Sequence, residues 1–120
     1  MPAPSRVALV SDDLMFQSQL AAAVGSWGGT LLTARAGDVP EADAVFVDLN
    51  REPAPRLGAI VRLREARPDT PIVAFCHHGE KRLREQAMSS GASSCVTNGA
   101  IQATALRLAG LPVPEDVRGD

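Results

Sequence analysis

Two cysteines in 120 residues, Cys76 and Cys95, are too few for the disulfide framework of a small secreted domain. No charge of one sign dominates either. The 12 basic and 14 acidic residues leave a formal net charge of −2, spread along the chain, with no electrostatic footprint for nucleic acid or an anionic membrane. Long apolar runs are missing, so no segment reaches bilayer-crossing length, and nothing near Met1 has the charged-then-apolar order of a secretory leader. The expectation is a soluble cytoplasmic protein with neither nucleic acid nor membrane as partner. Lysine occurs once, at Lys81, and that scarcity bears on the site.

What is present is a repeating alternation. Short continuous apolar runs, "VALVS" (7–11), "TLLTA" (30–34), "AVFVD" (44–48), "PIVAFC" (71–76) and "SCVT" (94–97), have the character of strands buried on both faces. Helical periodicity fills most of the gaps. One helix starts near Leu14 behind Asp12 or Asp13 as N-cap, with Phe16, Leu20, Val24 and Trp27 on one face and Gly28-Gly29 as its stop. A second spans about 55–66, turning Leu57, Ile60, Val61 and Leu63 inward and Arg62, Arg64 and Arg67 to solvent. A third, 80–90, is thinly apolar, with Leu83, Ala87 and Met88 inward and Gly91 as its end; the last starts at Asn98 as N-cap and carries Ile101, Thr104, Ala105 and Leu108.

Alternating strands and helices predict an α/β domain: a three-layer, doubly wound, five-stranded parallel sheet covered by helices on both sides. Nine residues, 35–43, join the second and third strands, fewer than a helical crossover needs, so the helix there is shortened or missing. Residues 1–110 form the domain, and the polar, Pro-bearing stretch 111–120 is read as a flexible tail.

In such a sheet ligands gather outside the carboxyl ends of the strands. Arriving there are Ser11, Asp12 and Asp13, then Asp48 and Asn50, then Cys76, His77 and His78, then Thr97 and Asn98. A carboxylate ending a buried strand, as Asp48 does, is costly unless paired. The bland account is helix capping at a solvated edge; the sharper one is a hard-oxygen site for Mg²⁺, which suits one or two carboxylates and a carbonyl. Adjacent histidines beside two cysteines lack zinc-ligand spacing. The first turn, "SDDLM", has no glycine to cradle a phosphate, which disfavours nucleotide-binding enzymes.

The chain resembles the receiver domains of two-component response regulators, the CheY-like fold. The likeness runs through "RVALVSDDLMFQSQL", "DAVFVDLN", "RLREARPDTPIVAF" and "EQAMSSGASSCVTNG". It implies strand order 2-1-3-4-5, a phosphoacceptor at Asp48, and Mg²⁺ held by Asp12, Asp48 and the Asn50 backbone carbonyl, with Asp13 as a further candidate.

Four positions depart from the family pattern. With the helix phase kept, Ser11 stands where a second acid is usual. Cys76 replaces the Thr or Ser that bonds the phosphoryl group, Cys95 the switch aromatic, and Asn98 the lysine. The resemblance therefore implies a non-enzymatic, atypical receiver in phosphorelay signalling. Its partner is a histidine kinase or downstream effector, with homodimerisation open, and its docking face lies around the last two helices and the last strand. Two alternatives stand beside this reading: a working Mg²⁺-dependent phosphoacceptor at Asp48, and a redox module through Cys76 and Cys95.

Overall fold

The computed structural model describes residues 3–115. Five strands, β1 (Arg6–Val10), β2 (Thr30–Ala34), β3 (Ala44–Asp48), β4 (Ile72–Cys76) and β5 (Ser94–Thr97), pair in parallel in the order β2-β1-β3-β4-β5. Helices α1 (Leu14–Gly25), α2 (Pro53–Ala66), α3 (Lys81–Ser90) and α4 (Ile101–Leu108) follow β1, β3, β4 and β5. A 3-10 turn over Asn98–Ala100 precedes α4. Among the described residues no helix is long and apolar enough to cross a membrane. Of the tail expected over 111–120, residues 116–120 lie outside the described residues.

Side-chain alternation along β1, β3 and β4 divides the core in two. On one face Val7, Leu9, Phe46 and Phe75 meet Phe16, Leu20 and Val24 of α1 and Ile101 and Ala105 of α4. On the other, Val10, Val45, Val47, Ile72 and Ala74 meet Ile60 and Leu63 of α2 and Ala87 of α3. Both central strands, β3 and β4, are buried along their whole length, as continuous apolar runs require.

Several inward assignments shift. Val61 and Met88 are exposed, and α1 ends at Gly25 with Ser26 as C-cap, before Gly28-Gly29. Asn98 is the first residue of the 3-10 turn and not the N-cap of the last helix, which starts at Ile101 with Ala100 as its N-cap. The arginines of α2 do not simply face water. Arg64 donates to the carbonyls of Gly91, Arg67, Pro68 and Thr70 and to the Ser93 hydroxyl, tying α2 to the C-terminal end of α3 and to the approach to β4. Gly91, at φ 116, allows this closeness, since a Cβ there would lie 2.8 Å from the Arg64 Cβ.

The helix between β2 and β3 is absent, as the short connection predicts. Residues 35–43 make a bend closed by an Arg35–Asp38 bridge, and Ala36, Val39 and Ala42 lean on the α2 side of the core. Arg67 holds the bend from α2, donating to the Val39 and Pro40 carbonyls at 2.8 and 2.9 Å, and Arg62 reaches the Ala36 carbonyl at 3.2 Å. Guanidinium groups satisfy backbone carbonyls that a helix would have bonded internally.

Candidate functional site

The site lies at the carboxyl edge of β1 and β3. Asp48, the last residue of β3, is 1% exposed. Its Oδ2 accepts the Ser11 hydroxyl at 2.7 Å, and its Oδ1 accepts both the Asn50 backbone N–H at 2.9 Å and the Asn50 side-chain amide at 2.7 Å. Asn50 and Asn98 exchange amide bonds at 2.9 and 3.0 Å across the top. Three short bonds replace the water the carboxylate lost on burial, which is the condition for keeping such a group inside.

Cationic compensation comes from Arg56, the second-turn residue of α2 and itself buried. Its Nη1 donates to the Asp48 carbonyl at 3.0 Å and lies 3.8 Å from Asp48 Oδ2. Nη2 donates to Asp12 Oδ1 at 3.3 Å and approaches Glu52 Oε2 at 4.0 Å. Asp12 is otherwise exposed; hydrogen bonding from its own backbone and then from Arg56 lowers its carboxyl below the ordinary value. Glu52 sits at φ 47 just before Pro53, a strained turn that starts α2 and carries Arg56 to the pocket.

Arg56 belongs to the site although no motif in the sequence marks it. Its one signal is helical phase: 56, 59, 60 and 63 form one helical stripe, so an arginine occupies the inward stripe at the end nearest the carboxyl edge. Asp13 is the α1 N-cap, accepting from the Met15 and Phe16 N–H groups at 2.8 and 3.3 Å, and is thereby drawn away from Asp48. Ser11 does meet Asp48, as a hydroxyl donor where a second carboxylate was sought.

A magnesium ion would take oxygens of Asp12 and Asp48 at about 2.0–2.1 Å. Arg56 already engages both residues. Glu52, at the edge, approaches Arg56 at 4.0 Å, no three His, Cys, Asp or Glu side chains among the described residues are grouped to hold a metal, and no buried side-chain nitrogen or oxygen there lacks a partner. The residues as arranged do not fit the ion.

Cys76, the last residue of β4, and Cys95, the second of β5, approach each other on adjacent strands, Sγ to Sγ 4.0 Å. Burial raises both thiols, Cys95 to about 12. Strand register pairs Cys76 with Thr97 and Ala74 with Cys95, an offset of two residues. Ideal strand spacing then separates their Cα atoms by roughly 8 Å, beyond the roughly 7 Å limit for a disulfide without backbone movement. His77 and His78 lie exposed in the following loop, stacked on each other. Lys81 lies exposed in the first turn of α3.

No profile of a known protein family matches the sequence, and no curated protein matches it. Solved structures are alike in shape and distant in sequence. A CheY-like protein, TadZ of Pseudomonas aeruginosa PAO1, superposes with a TM-score of 0.74 at 23% identity over 92% of this chain and 98% of that one. NtrX of Brucella abortus superposes with a TM-score of 0.74 at 19% identity, over 92% of this chain but 26% of that one, so the chain spans about a quarter of NtrX. HP1043, an orphan response regulator of H. pylori, gives 0.71 at 14% identity over 92% and 98%. The chain shares the CheY-like fold with these structures, a five-stranded parallel sheet in the order β2-β1-β3-β4-β5 with helices on both faces.

Proposed function

We propose that this domain is an atypical receiver in two-component signalling in the cytoplasm. It presents a constant surface to a signalling partner, a histidine kinase or downstream effector, and is not switched by phosphorylation of Asp48. One observation carries the reading: Asp48 is closed in. An aspartyl nucleophile needs an exposed oxygen in line with the incoming phosphorus and a cation on the phosphoryl oxygens. Both oxygens of Asp48 are occupied by Ser11 and Asn50, and Asn98 bonds Asn50 above them.

The switch positions add to this. Cys76 is a weak hydrogen-bond donor and Cys95 has no ring to swing. A phosphoryl group without differential contacts in two states has nothing with which to shift the balance between them. The docking face we assign is α3 with its neighbours: α3 gives only Ala87 to the fully buried core, and Met88 and Val61 stand exposed beside it.

Intact mass after incubation with a small-molecule phosphodonor and Mg²⁺, with Asp48→Ala alongside, tests the proposal. The expected outcome is no adduct from folded protein. An Mg²⁺-dependent adduct that disappears in Asp48→Ala would overturn it in favour of a working phosphoacceptor.

A further inference from the structure

We propose that Arg56 is the resident cation of the Asp12–Asp48 pocket, a tethered guanidinium standing where a divalent metal would otherwise sit. Arg56 reaches the two residues through different nitrogens, Nη2 to the Asp12 carboxylate and Nη1 to the Asp48 carbonyl. The group is buried, whereas the Asp12 side chain it touches is 64% exposed, so the guanidinium lies inside the pocket and the acid closes over it from the rim.

Backbone geometry supports the same assignment. The left-handed Glu52 and Pro53 at the first position fix where α2 starts, and Arg56 falls one turn later, on the inward stripe. The charge balance follows. Two pocket carboxylates face one guanidinium, with Glu52 at the edge, and Ser11 in place of an acid removes the negative charge that would repel an unneutralised Asp48. A divalent ion would meet a fixed positive charge 3.3 Å from the Asp12 carboxylate and 3.8 Å from that of Asp48. Arginine suits the task because its planar fork engages several oxygens at once and stays charged when buried.

This deepens the unswitched reading but is tested apart from it, since metal binding and covalent phosphorylation have separate readouts. The experiment is a Mn²⁺ titration of the isotope-labelled chain, followed by paramagnetic broadening of the Asp48 and Asn50 amide resonances. Mg²⁺ is added in parallel while the Arg56 Nε–H resonance is watched. At millimolar metal the natural protein is expected to show no saturable broadening and no movement of Arg56. Arg56→Gln, which removes the pocket's positive charge and leaves its carboxylates, is expected to gain saturable broadening and a Tm that rises with Mg²⁺.

Saturable broadening in the natural protein would overturn the proposal, as would a folded Arg56→Gln that ignores both metals. If that variant does not fold even in Mg²⁺, Arg56→Lys decides. An ammonium kept in the pocket leaves it blind to Mn²⁺, and saturable binding there would overturn the assignment. A phosphodonor adduct on Asp48 without metal binding would sink the functional reading and leave this one standing.

Discussion

Asn50 and Asn98, 48 positions apart in the chain, face each other with both amides paired head to tail, at 2.9 and 3.0 Å. The pair bridges the ends of β3 and β5 across β4, and the Asn50 amide also bonds the Asp48 carboxylate at 2.7 Å. A neutral latch therefore spans the place where the receiver pattern has a lysine.

Cutting the latch should cost little. Asn98→Ala removes two neutral hydrogen bonds at a half-exposed position and leaves the bonds to Asp48 in place. A loss of about 1 kcal/mol is expected, with the urea midpoint lowered and the m-value unchanged. Asp48 should remain unreactive to a phosphodonor in this variant. An adduct appearing on Asp48 would mean that the latch, and not Ser11 and Asn50, is what closes the site.

Arg56 should matter more. Arg56→Gln leaves the buried Asp48 carboxylate without its cation, and breaking such a pair from one side costs roughly 3 kcal/mol, the low end of the usual range because the carboxylate keeps three other bonds. Asp48→Asn in the same background removes the stranded charge and should return much of the loss. The check is a double-mutant cycle by denaturant unfolding. Additive effects would show that Arg56 and Asp48 do not interact energetically.

Strand and helix placement were legible because buried parallel strands announce themselves as short apolar runs and because the nine-residue connection is too short for a crossover helix; the order of the strands in the sheet was implied only by the resemblance to receiver domains. The site was half legible. Asp48, Asn50, Ser11 and Asn98 do converge, since each follows directly from a strand end. Arg56 was not found, because a polar residue on an apolar stripe at a helix start reads as a boundary effect until the neighbouring strand's acid is placed beside it. Val61 and Met88 misled in the opposite sense: helical phase gives a face, but how wide the contact is depends on the neighbouring helix. The roles of Arg64 and Arg67 were equally hidden, since their acceptors are backbone carbonyls, which no side-chain pattern reveals.

Arg67 stands in for a missing helix, and that role can be measured. Arg67→Ala unseats the carbonyls of Val39 and Pro40, which can turn to water, so the global cost should be modest, about 1–2 kcal/mol. The local effect should be larger: amide exchange over 35–43 should speed up while β1 and β3 keep their protection. Uniform acceleration across the sheet would mean the bend is part of the cooperative core and not a separately held segment.

The thiol pair gives the domain an alkaline limit. Burial raises both Cys76 and Cys95, the latter from 9.0 to about 12, so above pH 9 the unfolded chain gives up thiol protons that the folded chain still holds. The folded state then binds more protons than the unfolded one, which makes stability fall as pH rises. Below 9.0 the contribution is intact; between there and about 12 it is progressively lost. The window is unusually clean, because the chain has no tyrosine and a single lysine to titrate alongside. Urea midpoints should hold level to about pH 8.5 and decline by about pH 10.5, and Cys95→Ala should flatten that decline. Alkylation of the folded protein near neutrality should be slow for the same reason, since the thiolate is the reactive form. Midpoints that stay level through the window, or thiols alkylated as fast folded as unfolded, would show that the pair is solvated and that its burial does not set the alkaline limit.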